Sequence, residues 1–369
     1  MRLLRTSLSA LLLAASHPVL AVLHVSDGSH GAFRPTASQT LDLPADGIFN
    51  FTTIDIPSGV TIRFRSNTAN TGVFLRATGA VSISGVIDVS AGNVSLADLA
   101  NPNLGYIRPA TTATGGPGGG LGGRGGVGDT TCVGTDCRDA TSGTGPSPGL
   151  PGPTPTHSGL KVLGVAGGGG GMATAGMAAT KYTAGVAGSP AVPLPASLVG
   201  GSGGGGGSGW YFFGVQLGGG AGGGGGGALE ISTPDAITVG GSLLALGANG
   251  GWAFANSGGQ GGPGAGGSGG NIVLMGGDVT LLPNARIDTT GGYGGGLSTQ
   301  TYPNDPRAFE NGARGGTGFL YVEGRQLGLE GTLNAVVVAV PEPQTYVLLA
   351  LGLIVALTGA ARRRHASPH

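Results

Sequence analysis

Apolar and polar positions alternate with period two in several short stretches of this chain. Val81, Ile83, Gly85, Ile87 and Val89 occupy every second position. So do Ile237, Val239, Gly241, Leu243 and Ala245, and so do Leu327, Leu329, Gly331, Leu333 and Ala335. Side chains two apart on a strand share a face, so each set predicts two short strands with one apolar side, joined at a glycine. The glycine marks a sharp corner where a side chain would not fit. A further set has Val279 and Leu281, two extra residues around Pro283, then Ile287. The full repeats span 72–92, 228–247, 271–291 and 319–336, and each opens on another short apolar strand. An earlier coil is expected over 51–64, through Ile54, Ile56, Val60, Ile62 and Phe64.

Short strands, tight corners and one inward face predict an all-β protein, a parallel β-helix or β-solenoid. Stacked coils place equivalent strands about 4.8 Å apart, so like side chains form apolar ladders. One coil cannot bury its face alone, whereas stacking does so. A β-sandwich would explain the alternation equally well, but not the shared corner glycine.

Glycine content changes this picture. The chain has 82 glycines and 23 prolines in 369 residues, about three times the usual glycine share. No strict Gly-X-Y period appears, which excludes collagen. The largest glycine-rich insertion, 115–227, holds 43 glycines. Fixing a glycine costs roughly 0.5–1 kcal/mol more than fixing an alanine. The insertion is therefore either mobile or tied by many hydrogen bonds, as in bundled polyglycine II strands, where no Cβ keeps backbones apart. The sequence leaves both states open.

The two ends read as addresses. Arg2 and Arg5 precede an apolar stretch over 8–15, and Val19-Leu20-Ala21 suits a cut before Val22. That is a tripartite export signal, with an apolar part too short to span a membrane. At the other end, Pro341-Glu342-Pro343 is followed by an apolar run over 346–361 and by Arg362, Arg363 and Arg364. The run approaches the shortest membrane helices, and the arginines would stay cytoplasmic. The expected divisions are a signal peptide at 1–21, coils at 22–114, the insertion at 115–227, coils with glycine-rich loops at 228–338, and a tail with a membrane helix at 339–369.

The tail resembles the PEP-CTERM sorting signal, through its box at 341–343, its short apolar helix and its terminal basic cluster. The resemblance covers about the last 30 residues. It implies recognition by exosortase, an integral-membrane transpeptidase-like enzyme, in a Gram-negative bacterium that makes exopolysaccharide. The implied destination is the cell surface or the extracellular matrix, with transient residence in the inner membrane.

Candidate chemistry is sparse. The termini hold five of the 18 Lys and Arg residues, leaving 13 against 18 acidic ones, so no basic patch favours nucleic acid. Cys132 and Cys137 are expected to close a local disulfide loop in an oxidising compartment, and two cysteines cannot complete a tetrahedral zinc site. The glycine-rich matches to GxGxxG carry no information, and no Walker lysine or GxSxG elbow is present. Asp129 falls one residue early for a calcium nonapeptide. Asp88 and Asp288 share one repeat position, with Leu244 and Asn334 at the equivalent places, and read as Asx caps at a corner. Trp210, in the aromatic run 210–213, and Trp252 read as apolar anchors or as a stacking surface for sugar rings. No cofactor is expected. The leading expectation is a non-enzymatic structural or adhesin-like surface protein. The alternatives are a polysaccharide-active enzyme and a carbohydrate-binding module on the same scaffold.

Overall fold

The structure is a computed structural model that describes residues 25–92, 112–126, 140–153, 165–178, 185–190, 198–212, 215–256, 259–299 and 312–341. These residues are all-β with parallel sheets, as the alternation predicts, and contain no helix. The expected signal helix and membrane helix lie outside them.

Three parallel sheets form three faces, and the chain visits them in turn. The first face holds Ile48–Phe51, Val73–Ala77, Ala228–Ser232, Asn271–Met275, Phe319–Gly324 and Val336–Pro341. The second holds Ile54–Ile56, Val81–Ile83, Ala236–Val239, Asp278–Leu281 and Gln326–Leu329. The third holds Gln39–Asp42, Thr61–Arg65, Val86–Asp88, Ser242–Leu244, Arg286–Asp288 and Thr332–Asn334. Each strand pairs with its counterpart in the next coil, which is the arrangement of a solenoid.

The register follows the sequence repeat. On the second face Ile54, Val81, Ile237, Val279 and Leu327 stand in one column. On the third face the column is Ile62, Ile87, Leu243, Ile287 and Leu333. The two extra residues before Ile287 are absorbed at the corner, where Ala285 N–H donates to the Leu282 carbonyl at 2.8 Å. Both columns and the inward side chains of the first face pack into one core. Burying each Leu, Ile or Val contributes roughly 1.5–3 kcal/mol. A one-residue slip of any strand would turn its apolar set outward, so the core fixes the register.

The corner glycines are required by close approach. A Cβ on Gly85 would meet the Pro57 carbonyl oxygen at 2.5 Å and the Ile56 side chain at 2.9 Å. Gly331 also has φ of 89°, where a side chain would strain the backbone.

Three excursions leave the solenoid at the same corner, between the third face and the next strand of the first. They run from Val89 to Gly227, from Ala245 to Gly270 and from Thr289 to Gly318. Of the two states the sequence left open, their described glycine-rich segments adopt the hydrogen-bonded one. On segment 200–208, Gly201, Gly204 and Gly207 donate to the carbonyls of Gly226, Gly223 and Gly220 at 2.7–2.9 Å. Gly203 and Gly206 donate to Thr144 and Thr141, and Gly205 and Ser208 donate to Gly168 and Val165. The carbonyls of Gly201, Gly204 and Gly207 accept from Gly120, Gly123 and Gly126. Those of Ser202, Gly205 and Ser208 accept from Ser268, Ala265 and Gly262, and those of Gly203 and Gly206 from Gly149 and Gly152.

A given partner therefore recurs at every third residue, the turn of a polyproline II helix. Segment 200–208 has six such neighbours, which is hexagonal packing. Segment 261–270 also has six: 200–208, 219–227, 245–251, 165–170, 291–295 and 312–316. The loops expected at 228–338 thus belong to the same bundle as the insertion at 115–227.

Only small side chains fit inside. The buried positions of 200–208, 219–227 and 261–270 are Gly apart from Ser202, Ser208, Ala221, Pro263, Ala265 and Ser268. The serine hydroxyls extend the lattice: Ser268 Oγ accepts from Ser202 N–H at 2.7 Å, and Ser208 Oγ from Val165 N–H at 2.7 Å. A backbone hydrogen bond contributes about 0.5–1.5 kcal/mol net, enough to offset the extra entropy of each ordered glycine, about 0.5–1 kcal/mol.

Candidate functional site

The shared repeat position of Asp88 and Asp288 is a true column. Arg63, Asp88, Leu244, Asp288 and Asn334 succeed one another across the third face. Two strand spacings separate the carboxylates, about 9.6 Å. Asp88 accepts from Ser90 N–H at 3.0 Å and pairs with Arg63 at 3.1 Å. Asp288 accepts from Thr290 N–H at 3.1 Å, from Arg286 at 2.7 Å and from Asn334 at 3.2 Å. Both are Asx caps at the corner where an excursion begins, as the sequence suggested.

Asp288 is only 3% exposed. Burial pushes its carboxyl up, but the hydrogen bonds from Arg286, Thr290 and Asn334 outweigh burial and hold it below the usual carboxylate range. A general acid needs the opposite shift. A depressed folded pKa contributes stability that is present above the unfolded value, near 3.9, and is lost as pH falls through the folded value. Acid titration of wild type against Asp288→Asn tests this. The wild type should lose stability below about pH 4, and the variant should lose less of it over the same window. Equal acid slopes would mean that Asp288 carries no such linkage.

The excursions end at one level of the bundle. Gly207 donates to Gly220, Gly220 to Gly262, Gly264 to Gly251, and Gly295 to Gly264. Just beyond that level the chain reverses. Trp210–Phe212 pairs antiparallel with Val215–Leu217. Ala253–Asn256 pairs antiparallel with Gly259–Gln260 and parallel with Leu297–Thr299. The strand Val215–Leu217 lies beside Ala253–Asn256. The bundle thus brings the chain positions of Trp210 and Trp252 to the same tip, far apart as they are in sequence. Trp252 is half-buried.

Pro341 ends the last strand of the first face. Glu342, Pro343, Arg362, Arg363 and Arg364 lie outside the described residues, as do Cys132, Cys137 and Asp129. Among the described residues no group of three or more His, Cys, Asp and Glu could hold a metal ion, and no helix is long and apolar enough to cross a membrane. Comparison with protein-family models, with curated proteins and with solved structures gives no match to this chain.

Sequence reasoning did not reach the bundle as the organising feature. A signal was present. Leu121 and Arg124 follow glycine pairs at three-residue spacing on a segment at the bundle's edge, and the inner segments carry nothing larger than Ala or Ser apart from Pro263.

Proposed function

We propose that this chain is an exported, non-enzymatic structural or adhesin-like protein of the bacterial surface, sorted through the PEP-CTERM route and associated with exopolysaccharide. One observation carries the reading: every described coil lies N-terminal to Glu342, and the last described strand, Val336–Pro341, reaches the first residue of the Pro-Glu-Pro box. A cut near the box would remove the apolar run and the arginines and leave every coil intact. Prolines on both sides of Glu342 keep the box extended, which suits a processing site. The apolar run favours lipid, and Arg362 to Arg364 resist translocation. The scaffold supplies a rigid body, and its tip supplies contact surface.

Intact-mass measurement of the exported protein, from wild type and from a strain lacking exosortase, tests the proposal. The wild-type protein should lack the tail, and the protein from the mutant strain should keep it. Deleting 341–343 alone should leave a full-length protein in the inner membrane. Exported wild-type protein with its complete tail would make this an ordinary membrane anchor.

A carbohydrate-binding role is the second reading, favoured by the common placement of Trp210 and Trp252 at the tip. Trp252→Ala should then lower retention on the producer's own exopolysaccharide while the coils stay folded, as read by circular dichroism. Unchanged retention would remove this reading.

A further inference from the structure

The two ends of the solenoid differ. At the N-terminal end the first coil is covered. Phe33 bridges to Ile54, its ring stacks on Phe51 at 4.8 Å, and Phe51 in turn stacks on Phe49. Beneath that cover and the strand Gln39–Asp42, Ile54, Ile56 and Ile62 are at most 1% exposed, while Phe33, Leu41 and Phe49 of the cover are themselves partly buried. At the C-terminal end the outermost strands of the three faces are Gln326–Leu329, Thr332–Asn334 and Val336–Pro341. Their core-column residues Leu327, Leu329 and Leu333 are only partly buried, whereas Val279, Leu281 and Ile287 in the coil before are fully buried. Val336, Val337 and Val338 are 36–39% exposed. This is the last coil among the described residues, and it presents an apolar surface and the outer edges of three sheets. Natural sheets usually block such an edge with charge, proline or a covering segment.

We infer that this open end is a docking surface for the lipid bilayer while the tail is intact. The inference rests on the membrane reading of 346–361 given above. Four residues separate Pro341 from Tyr346, a reach of at most about 18 Å. With the apolar run in the bilayer, the Pro341 end of the open coil cannot lie farther than that from the surface. Leucines and valines at the rim enter the interfacial region, and the edge N–H and C=O groups remain in the hydrated headgroup layer, where they are satisfied. The short tether raises the effective concentration of the surface at this end, so a weak apolar contact suffices. Cutting the box removes the tether and frees the end.

The full chain in nanodiscs tests this. In a Cys132→Ser, Cys137→Ser background, an environment-sensitive fluorophore is attached at Val337→Cys, and separately at Val25→Cys near the opposite end, where Val25 is 64% exposed. Thr332→Cys serves as a second probe of the open end, should the first variant not fold. Brominated lipids should quench the labels at 337 and 332 and leave the label at 25 bright. A chain that enters the nanodisc with all labels equally bright overturns the inference and leaves the sorting proposal standing. A chain that does not enter the nanodisc at all overturns both. Excimer emission from two pyrene labels at 337, without lipid quenching, overturns the inference in favour of a second copy on this surface.

Discussion

Gly205→Val is expected to disrupt the glycine bundle. Gly205 lies in a segment with neighbours on six sides, and it donates to the Gly168 carbonyl and accepts from Ala265 N–H. A Cβ there would meet the carbonyl carbon of Leu150 at 2.5 Å, with the carbonyl oxygen closer still. That obstacle is backbone, which cannot rotate aside as a side chain can. The neighbouring segment must move, and its hydrogen bonds are lost with those of Gly205. Overpacking of this kind costs about 1–3 kcal/mol, and each lost hydrogen bond adds about 1 kcal/mol, so a loss of 3 kcal/mol or more is expected. Leu121→Ala, at a position 46% exposed on the bundle's edge, should change stability by about 0.5 kcal/mol or less. Denaturant unfolding measures the difference, and hydrogen exchange locates it. Amide protection at Gly204, Gly206, Gly222 and Gly223 should collapse in Gly205→Val while the coil amides at Ile237 and Val279 stay protected. Equal stability of the two variants would mean that the bundle contributes nothing to the folded state.

Ile83→Asp is expected to destabilise the coils by more than about 4 kcal/mol, because it places an unpaired carboxylate in an apolar core. Ile83 is fully buried, and its column neighbours Ile56 and Val239 are buried as well. Ser84, one residue on, is exposed. Ser84→Asp should therefore stay within about 0.5 kcal/mol of wild type. The pair isolates register from chemistry, since both variants add the same charge at adjacent positions. Equal destabilisation would contradict the alternation on which the coil assignment rests. Thermal unfolding followed by circular dichroism distinguishes the outcomes.

The two experiments probe different kinds of cohesion. In the coils, apolar side chains hold neighbouring strands in register, and backbone hydrogen bonds complete the ladder. In the bundle, almost no side chain takes part, and cohesion comes from backbone hydrogen bonds to neighbours on six sides of each inner segment. The solenoid and the bundle share one scale, because hydrogen-bonded backbones in both lie about 4.8 Å apart. Successive coils can therefore deliver successive bundle segments at matching spacing. The serines at 202, 208 and 268 fit this logic, since a hydroxyl accepts the N–H that a strictly regular lattice would leave without a partner.

The sequence by itself determined the coils. Period-two alternation assigned the inward faces, the shared glycine located the corner between the second and third faces, and the alignment of repeats placed Asp88, Leu244, Asp288 and Asn334 in one column. Side chains carried that information, because each apolar position has one favourable side of a strand. Glycine carries no such preference, so the sequence could not choose between a mobile insertion and a hydrogen-bonded one, nor say which glycine segments would be neighbours. Only the tertiary structure decided that: the stacked coils hold the roots of three excursions side by side, and bare backbones so placed satisfy one another's N–H and C=O groups. The same holds for the tip, where the chain positions of Trp210 and Trp252 share one end of the bundle because segments of different excursions end at one level. It holds too for the open C-terminal coil, whose partly exposed leucines read in sequence like those of any buried coil.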